Sequence, residues 1–241
     1  YLFTNTYLGD YPMFLPGGKE QIAGEYQPGW MLLSYGKKVS VSSSLEGYPA
    51  ENIVDEDART AWVAQSNRDM EWAQVDLQRL SSIHAIQVNF DEYGANQKGA
   101  VSGVYQSYLI YASVNGEDWS LVVDYGTKKT DTPHDYIEFE EPFKARYIKL
   151  QNKEYMVSEN FSVRDLRIFG KGQGSTPRAV NDFTVERDEA DPCKARLCWE
   201  AVPDAQGYIV RYGIAGDKLY NNFQVMGENT LEIGSLNKGV A

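Results

Sequence analysis

Residues 55–77 read DEDARTAWVAQSNRDMEWAQVDL. Asp55, Asp57 and Thr60 place three hard-oxygen side chains within six positions, and Trp62 follows two residues later. A hard divalent cation takes roughly 6 to 8 oxygen ligands, and a short loop reaches that number by adding backbone carbonyls and water to a few side chains. The competing reading of an isolated D-x-D is a solvated acidic turn. Trp62 favours a loop anchored on an apolar core, and Trp72–Leu77 (WAQVDL) reads as a strand of that core.

Outward from this stretch, short β-type runs recur between turn signals from Ser34 to Gly170. The predicted strands are Lys38–Ser43, Trp72–Leu77, Ile83–Phe90, Ser107–Ser113, Ser120–Tyr125, Asp135–Phe139, Arg146–Gln151 and Val163–Phe169, with Asn115-Gly116 marking a hairpin. About eight short strands without an amphipathic helix predict a jelly-roll or related β-sandwich. The fold class is all-β.

Residues 34–170 are bounded by different sequence on both sides. Residues 1–33 contain a strand-like run, Tyr1–Leu8, then turns and a Pro-Gly-Gly loop. Tyr1–Leu8 is either an edge strand of the next domain or the last strand of an upstream one. The chain opens YLFTNTYLGD, with no initiator Met and no signal-peptide pattern, and is expected to be a piece of something longer. Residues 171–179 complete the segment GKGQGSTP begun at Gly170. It reads as a linker, since a strand and not a helix N-terminus follows its glycines. Residues 180–241 form a second β unit with runs Phe183–Arg187, Ala195–Trp199, Tyr208–Tyr212, Tyr220–Met226 and Thr230–Ile233. Five strands leave a seven-strand sandwich unfinished.

Composition narrows the partners. The 241 residues favour two domains, and 23 basic against 34 acidic residues give a net charge of −11. That balance disfavours nucleic acid and anionic membrane surfaces, which are held by basic side chains. No run of 18 apolar residues suggests membrane insertion. Cys193 and Cys198 are five apart, on opposite faces of any strand, which makes a disulfide between them geometrically poor.

Six pieces occur in a fixed order: VSVSSS at Val39, PAENIVDEDARTAW ending at Trp62, WAQVDL at Trp72, YLIYASVNGEDW ending at Trp119, ARYIKL at Ala145 and VRDLRIFG ending at Gly170. Together they resemble the discoidin-like domains, named for the C-type domains of coagulation factors V and VIII, whose bacterial members are the family 32 carbohydrate-binding modules. That family's cation loop has the form D-G-D-x-x-T-x-W. The resemblance therefore implies structural calcium at Asp55, Asp57 and Thr60, with carbonyls from Ala50 and Asn52 and a further ligand at Asp165. Two departures are Glu56, where the family usually has Gly, and Asp165, where it usually has Glu. Residues 180–241, with Trp199 and YIVRYG at Tyr208, look like a partial fibronectin type III domain. Residues 1–33, with NTYLGDYP and GWMLLSYGKKV, are similar to the junction between propeller and discoidin-like module in bacterial family 43-type glycoside hydrolases. An upstream catalytic domain is the partner this implies.

Sugars are held by aromatic faces flanked by carboxylate, amide and guanidinium groups. The candidates are Tyr48 before the cation loop, Tyr93, Asn96 and Lys98 in the segment 91–106, and Tyr155 and Asn160 in the late loop. Each alone reads equally as a surface or core residue, and convergence of the three loops would favour a site. Trp62, Trp72 and Trp119 are expected in the core, Trp30 and Tyr35 against an upstream domain, and His84 and His134 as structural residues. No G-x-S-x-G, H-E-x-x-H or paired catalytic carboxylate is recognisable. The resemblance therefore implies a non-catalytic role: an extracellular, periplasmic or cell-surface accessory region binding polysaccharide or another glycan. The alternative is a module that only braces a neighbouring domain.

Overall fold

The computed structural model describes residues 30–95, 103–172, 178, 180–203, 205, 207–216 and 218–237. They fall into two compact units, one over 30–172 and one from 178 onward.

The first unit is a β-sandwich of eight strands: β1 (Met31–Leu32), β2 (Lys38–Val41), β3 (Trp62–Val63), β4 (Trp72–Phe90), β5 (Gln106–Ser113), β6 (Ser120–Tyr125), β7 (His134–Tyr155) and β8 (Ser162–Gly172). Two pairs of predicted strands are continuous: 72–77 with 83–90 in β4, and 135–139 with 146–151 in β7. In β4 the register slips between Asp76 and Ser81, where Gln78 adopts a positive φ of 66° and its N–H donates to Asp76 Oδ1 at 2.7 Å. The two long strands pair antiparallel on either side of this irregularity and thereby serve both layers. One layer adds β2 beside β4 and then β5 and β6 beside β7. The other adds β8 beside the second half of β4, with β1 and β3 on β8. Because Met31 and Leu32 pair with β8, the sandwich begins before Ser34.

Alternation explains the core. In β4, Ala73, Val75 and Leu77 point inward while Trp72, Gln74 and Asp76 are half-buried on the outer face. Ile86 and Val88 from the far half of β4, Ile148 and Leu150 from β7, and Leu166 and Ile168 from β8 close the same core. Each such side chain contributes about 1.5–3 kcal/mol when fully buried. Trp62 is 0% exposed, packs edge-on to Phe161 at 5.8 Å and donates from Nε1 to the Ser43 carbonyl at 2.9 Å. It fixes the end of the Asp55–Thr60 loop on the core as expected. The Asn115-Gly116 turn joins β5 to β6, with Gly116 at φ 83° against the Tyr147 ring.

Two core expectations are corrected. Trp72 and Trp119 are half-buried and lie outside the core cluster. Trp72 shares its strand phase with Gln74 and Asp76, so it projects from the outer face.

In the second unit, β9 (Thr184–Arg187), β10 (Ala195–Cys198) and β13 (Thr230–Ile233) form a sheet in the order β13-β10-β9, while β11 (Gly207–Tyr212) and β12 (Asn221–Met226) form a two-stranded sheet. Leu197 and Trp199 are buried on one face as their spacing predicts, with Val210 and Val225 from the other sheet. Phe183, Trp199, Val202 and Tyr208 line an apolar cleft of about 360 Å³. Both cysteines are free thiols.

Candidate functional site

The Asp55–Thr60 loop follows a single 3-10 turn, Ala50–Val54, whose Ile53 and Val54 are buried. This burial fixes Asp55 at the surface. Asp55 Oδ1 accepts the Asp57 N–H at 2.9 Å, and Thr60 Oγ1 lies 2.8 Å from Asp55 Oδ2 and 2.9 Å from the Asp57 carbonyl. One carboxylate, one hydroxyl and one carbonyl oxygen are thus gathered in a single knot. The Asp57 carboxylate turns away to Arg59, whose guanidinium holds it below the usual carboxylate range. Asn52 spends its amide N–H on the Ala61 carbonyl at 2.8 Å, and Ala50 opens the turn.

Asp165, in β8, is 8% exposed, and burial pushes its carboxyl up to about 6. The Asn89 amide donates to it at 2.9 Å, while the charges of Glu56 and Asp55 raise it further. Asn89 also meets His134 Nδ1 at 3.1 Å, and burial together with Arg164 lowers that imidazole's pKa.

Among the described residues no three Asp, Glu, His or Cys side chains are grouped to hold a metal. The oxygens gathered at Asp55, Thr60 and the Asp57 carbonyl are hard donors, the type that calcium takes. Asp55, Thr60, the Asp57 carbonyl and the nearby buried Asp165 fit that requirement. Asp57 fits through its backbone, whereas its side chain is committed to Arg59.

Glu56 occupies the left-handed region at φ 61°, where glycine is the easier residue. Its carboxylate takes two hydrogen bonds from Arg167, at 3.0 and 2.6 Å, and Arg167 also donates to Gln87 at 3.0 Å. Sequence reading missed Arg167. The only local signal was Glu56 at a position that suits glycine.

The loops at the end of β4 place two of the expected sugar contacts together. Tyr48 and Tyr93 meet edge to face, with ring centroids 4.9 Å apart, and both are half-buried with part of each ring open to solvent. The late loop reaches the same place, since Ser158 Cβ is 4.0 Å from the side-chain position of Gly94. Asn67 ties that late loop down by donating to the carbonyls of Tyr155 and Ser158. The Ser42–Glu71 loop is fixed by Glu71, whose carboxylate accepts the hydroxyls of Ser42, Ser43 and Ser66. Burial alone would raise the Glu71 pKa, but these hydroxyls hold it below its ordinary value.

Tyr155 is not at this surface. It is 1% exposed, packs on Phe90 and Phe161, and gives its hydroxyl proton to the Asp91 carbonyl. Its assignment as a sugar contact is corrected. A register shift between Ser107 and Tyr108 against β7 changes the strand phase there and turns Tyr155 inward. Asn160 is half-buried and donates to the Ala64 carbonyl at 2.8 Å, which makes it a loop brace. Asn96 and Lys98 lie outside the described residues. Arg164, which the sequence did not single out, pairs with Asp91, two residues before Tyr93, and its Nε is buried without an acceptor. Trp30 stacks on His84 at 5.1 Å and 24°, and burial and Lys171 lower the His84 pKa.

Residues 38–165 match the F5/8 type C domain family. Lactadherin of Rattus norvegicus is 33% identical over 110 residues, covering 43% of this chain and 25% of that protein. Lactadherin of Mus musculus is 32% identical over 110 residues, covering 43% and 23%. The chain spans about a quarter of the length of these curated relatives. Similar solved structures include chitosan-binding module 1 of a Paenibacillus sp. IK-5 chitosanase/glucanase, with TM-score 0.49, 20% identity and coverage of 58% of this chain and 98% of that one. Another is the family 32 module of Clostridium perfringens NanJ in complex with galactose, with TM-score 0.46, 18% identity and coverage of 58% and 98%. No helix among the described residues is long and apolar enough to cross a membrane.

Proposed function

We propose that this chain, which belongs to the F5/8 type C domain family, is a non-catalytic region that binds carbohydrate through the loops around Tyr48 and Tyr93. The observation that carries the reading is the edge-to-face pair of partly open tyrosines, contributed by loops 45 residues apart in sequence and joined there by the late loop at Ser158. Such a pair offers apolar C–H contact beside polar hydroxyls, and Arg164 with Asp91 supplies hydrogen-bonding groups on the adjoining segment. The ligand class is a polysaccharide or other glycan, with no nucleic acid and no membrane insertion.

Calcium, in this reading, is held by Asp55, Thr60, the Asp57 carbonyl and Asp165, and its role is to brace the loop on which Tyr48 borders. Residues 180–241 are a partial fibronectin type III domain, supported by the division of their strands into sets of three and two. The parent is a family 43-type bacterial glycoside hydrolase acting outside the cytoplasm, with its catalytic domain upstream. Retardation of the chain in native gels containing plant or host polysaccharides tests the binding reading, and unchanged mobility across a broad panel opposes it.

A bracing role without glycan is the second reading. It is favoured by the small apolar cluster of Leu32, Ala85 and Phe169, flanked by Trp30 and Tyr136, which lies apart from the main core.

A further inference from the structure

The outer face of the β4–β7–β5 layer carries an arrangement that the loop site does not use. Lys149 projects from β7 with Gln74 of β4 and Tyr111 of β5 as its lateral neighbours in the sheet. Its Nζ lies 3.7 Å from the ring centroid of Trp119 and 5.7 Å from that of Trp72. Both indoles are half-buried, each keeping part of its surface open, and Tyr147 approaches Trp119 at 6.5 Å. Cation–π contact partly compensates the ammonium.

No carboxylate completes the compensation. Among the described residues Lys149 forms no ion pair, although acidic side chains outnumber basic ones in the chain by 34 to 23. The carboxylate two residues along the facing strand from Gln74, Asp76, is held at both oxygens by Arg146. Asp118, beside Trp119, accepts the Asn115 amide at 2.9 Å. Burial accordingly lowers the Lys149 pKa. An ammonium with no carboxylate partner, set between aromatic surfaces with an amide at Gln74 beside it, is complementary to a sugar ring that bears a carboxylate.

We propose that Trp72, Lys149 and Trp119 form a second binding surface, distinct from the Tyr48–Tyr93 loops, for short acidic saccharides. The uronate carboxylate pairs with Lys149 while neighbouring pyranose C–H faces pack on the indoles. A short ligand is specified because the net charge of −11 opposes a long polyanion at low ionic strength.

Indole fluorescence of the whole chain, titrated with trigalacturonate and with its fully methyl-esterified form, tests the proposal. The acid perturbs the fluorescence, and the ester binds about tenfold or more weakly because the charge-assisted contact is lost. Lys149→Gln lowers affinity for the acid by a similar factor, Lys149→Arg retains it, and Trp119→Ala abolishes it. Melting temperatures of these variants identify any that misfold, and the Arg variant carries the comparison if the Gln variant does. Tyr48→Ala leaves trigalacturonate binding unchanged, which separates this surface from the loop site. Equal binding of ester and acid, undiminished binding by folded Lys149→Gln, or no binding of trigalacturonate, trimannuronate or sialyllactose overturns the proposal.

Discussion

Glu56 and Arg167, 111 residues apart, form a two-pronged ion pair whose side chains are only 15% and 5% exposed. The pair links the Asp55–Thr60 loop to β8, the strand that also carries Asp165. It accounts for the tolerance of a left-handed backbone at Glu56, because the side chain that makes the backbone costly also neutralises a buried guanidinium.

Glu56→Gly relieves the left-handed strain, a gain of roughly 1–2 kcal/mol. It also removes the carboxylate partner of a buried cation, which costs about 3–5 kcal/mol. The single variant is therefore expected to melt below the wild type despite its better backbone. Glu56→Gly combined with Arg167→Met recovers much of the loss, as a double-mutant cycle of thermal or urea unfolding would record. Equal melting of Glu56→Gly and wild type would show that the pair contributes nothing.

Asp165 makes stability depend on pH in a defined direction. Its folded carboxyl titrates near 6 against an ordinary 3.8, so between those values the folded chain holds a proton that the unfolded chain has lost. The stabilisation is complete below about pH 4 and is lost as pH rises through 6, at most about 3 kcal/mol in metal-free protein. Urea unfolding at pH 4.5 and pH 7 in chelator measures it. Asp165→Asn should remove that part of the difference, and an identical pH dependence in the variant would refute the assignment.

Calcium acts against the same charge. If it is held by Asp55, Thr60, the Asp57 carbonyl and Asp165, added calcium raises the melting temperature more at pH 7.5, where Asp165 is ionised, than at pH 5. Asp55→Ala abolishes the shift, whereas Asp57→Ala, which keeps its carbonyl, preserves most of it. Chelation without effect on melting at either pH sinks the calcium proposal.

Gly170 closes β8 against β4. A Cβ there would lie 2.0 Å from the Ser82 carbonyl oxygen and 3.1 Å from Leu33 Cδ1. Gly170→Ala must separate two paired strands and is expected to cost about 2 kcal/mol or more. Unfolding midpoints in denaturant will show it, and a neutral substitution would mean that the two strands part at little cost.

The layers of the sandwich are legible because β4 carries Ala73, Val75 and Leu77 at strand spacing and Trp62 closes the loop. Trp72 was misassigned although its phase with Gln74 and Asp76 carried the correct answer. Tyr155 was not legible, because a register shift between β5 and β7 is invisible to alternation. Pairing of Glu56 with Arg167, and of Asp91 with Arg164, depends on approach across 111 and 73 residues, which no local pattern encodes. Tyr48 and Tyr93 stand out in the sequence as aromatic residues of two loops, yet their ring contact emerges only from the folded loops.

Affinity electrophoresis of the wild type, Tyr48→Ala and Tyr93→Ala on the polysaccharide that retards the chain most tests the central claim. Each tyrosine variant should lose at least about tenfold in affinity, corresponding to roughly 1.4 kcal/mol of lost aromatic contact, with its melting temperature close to wild type. Retardation undiminished in both variants, or none by the wild type on any glycan, would contradict carbohydrate recognition at these loops.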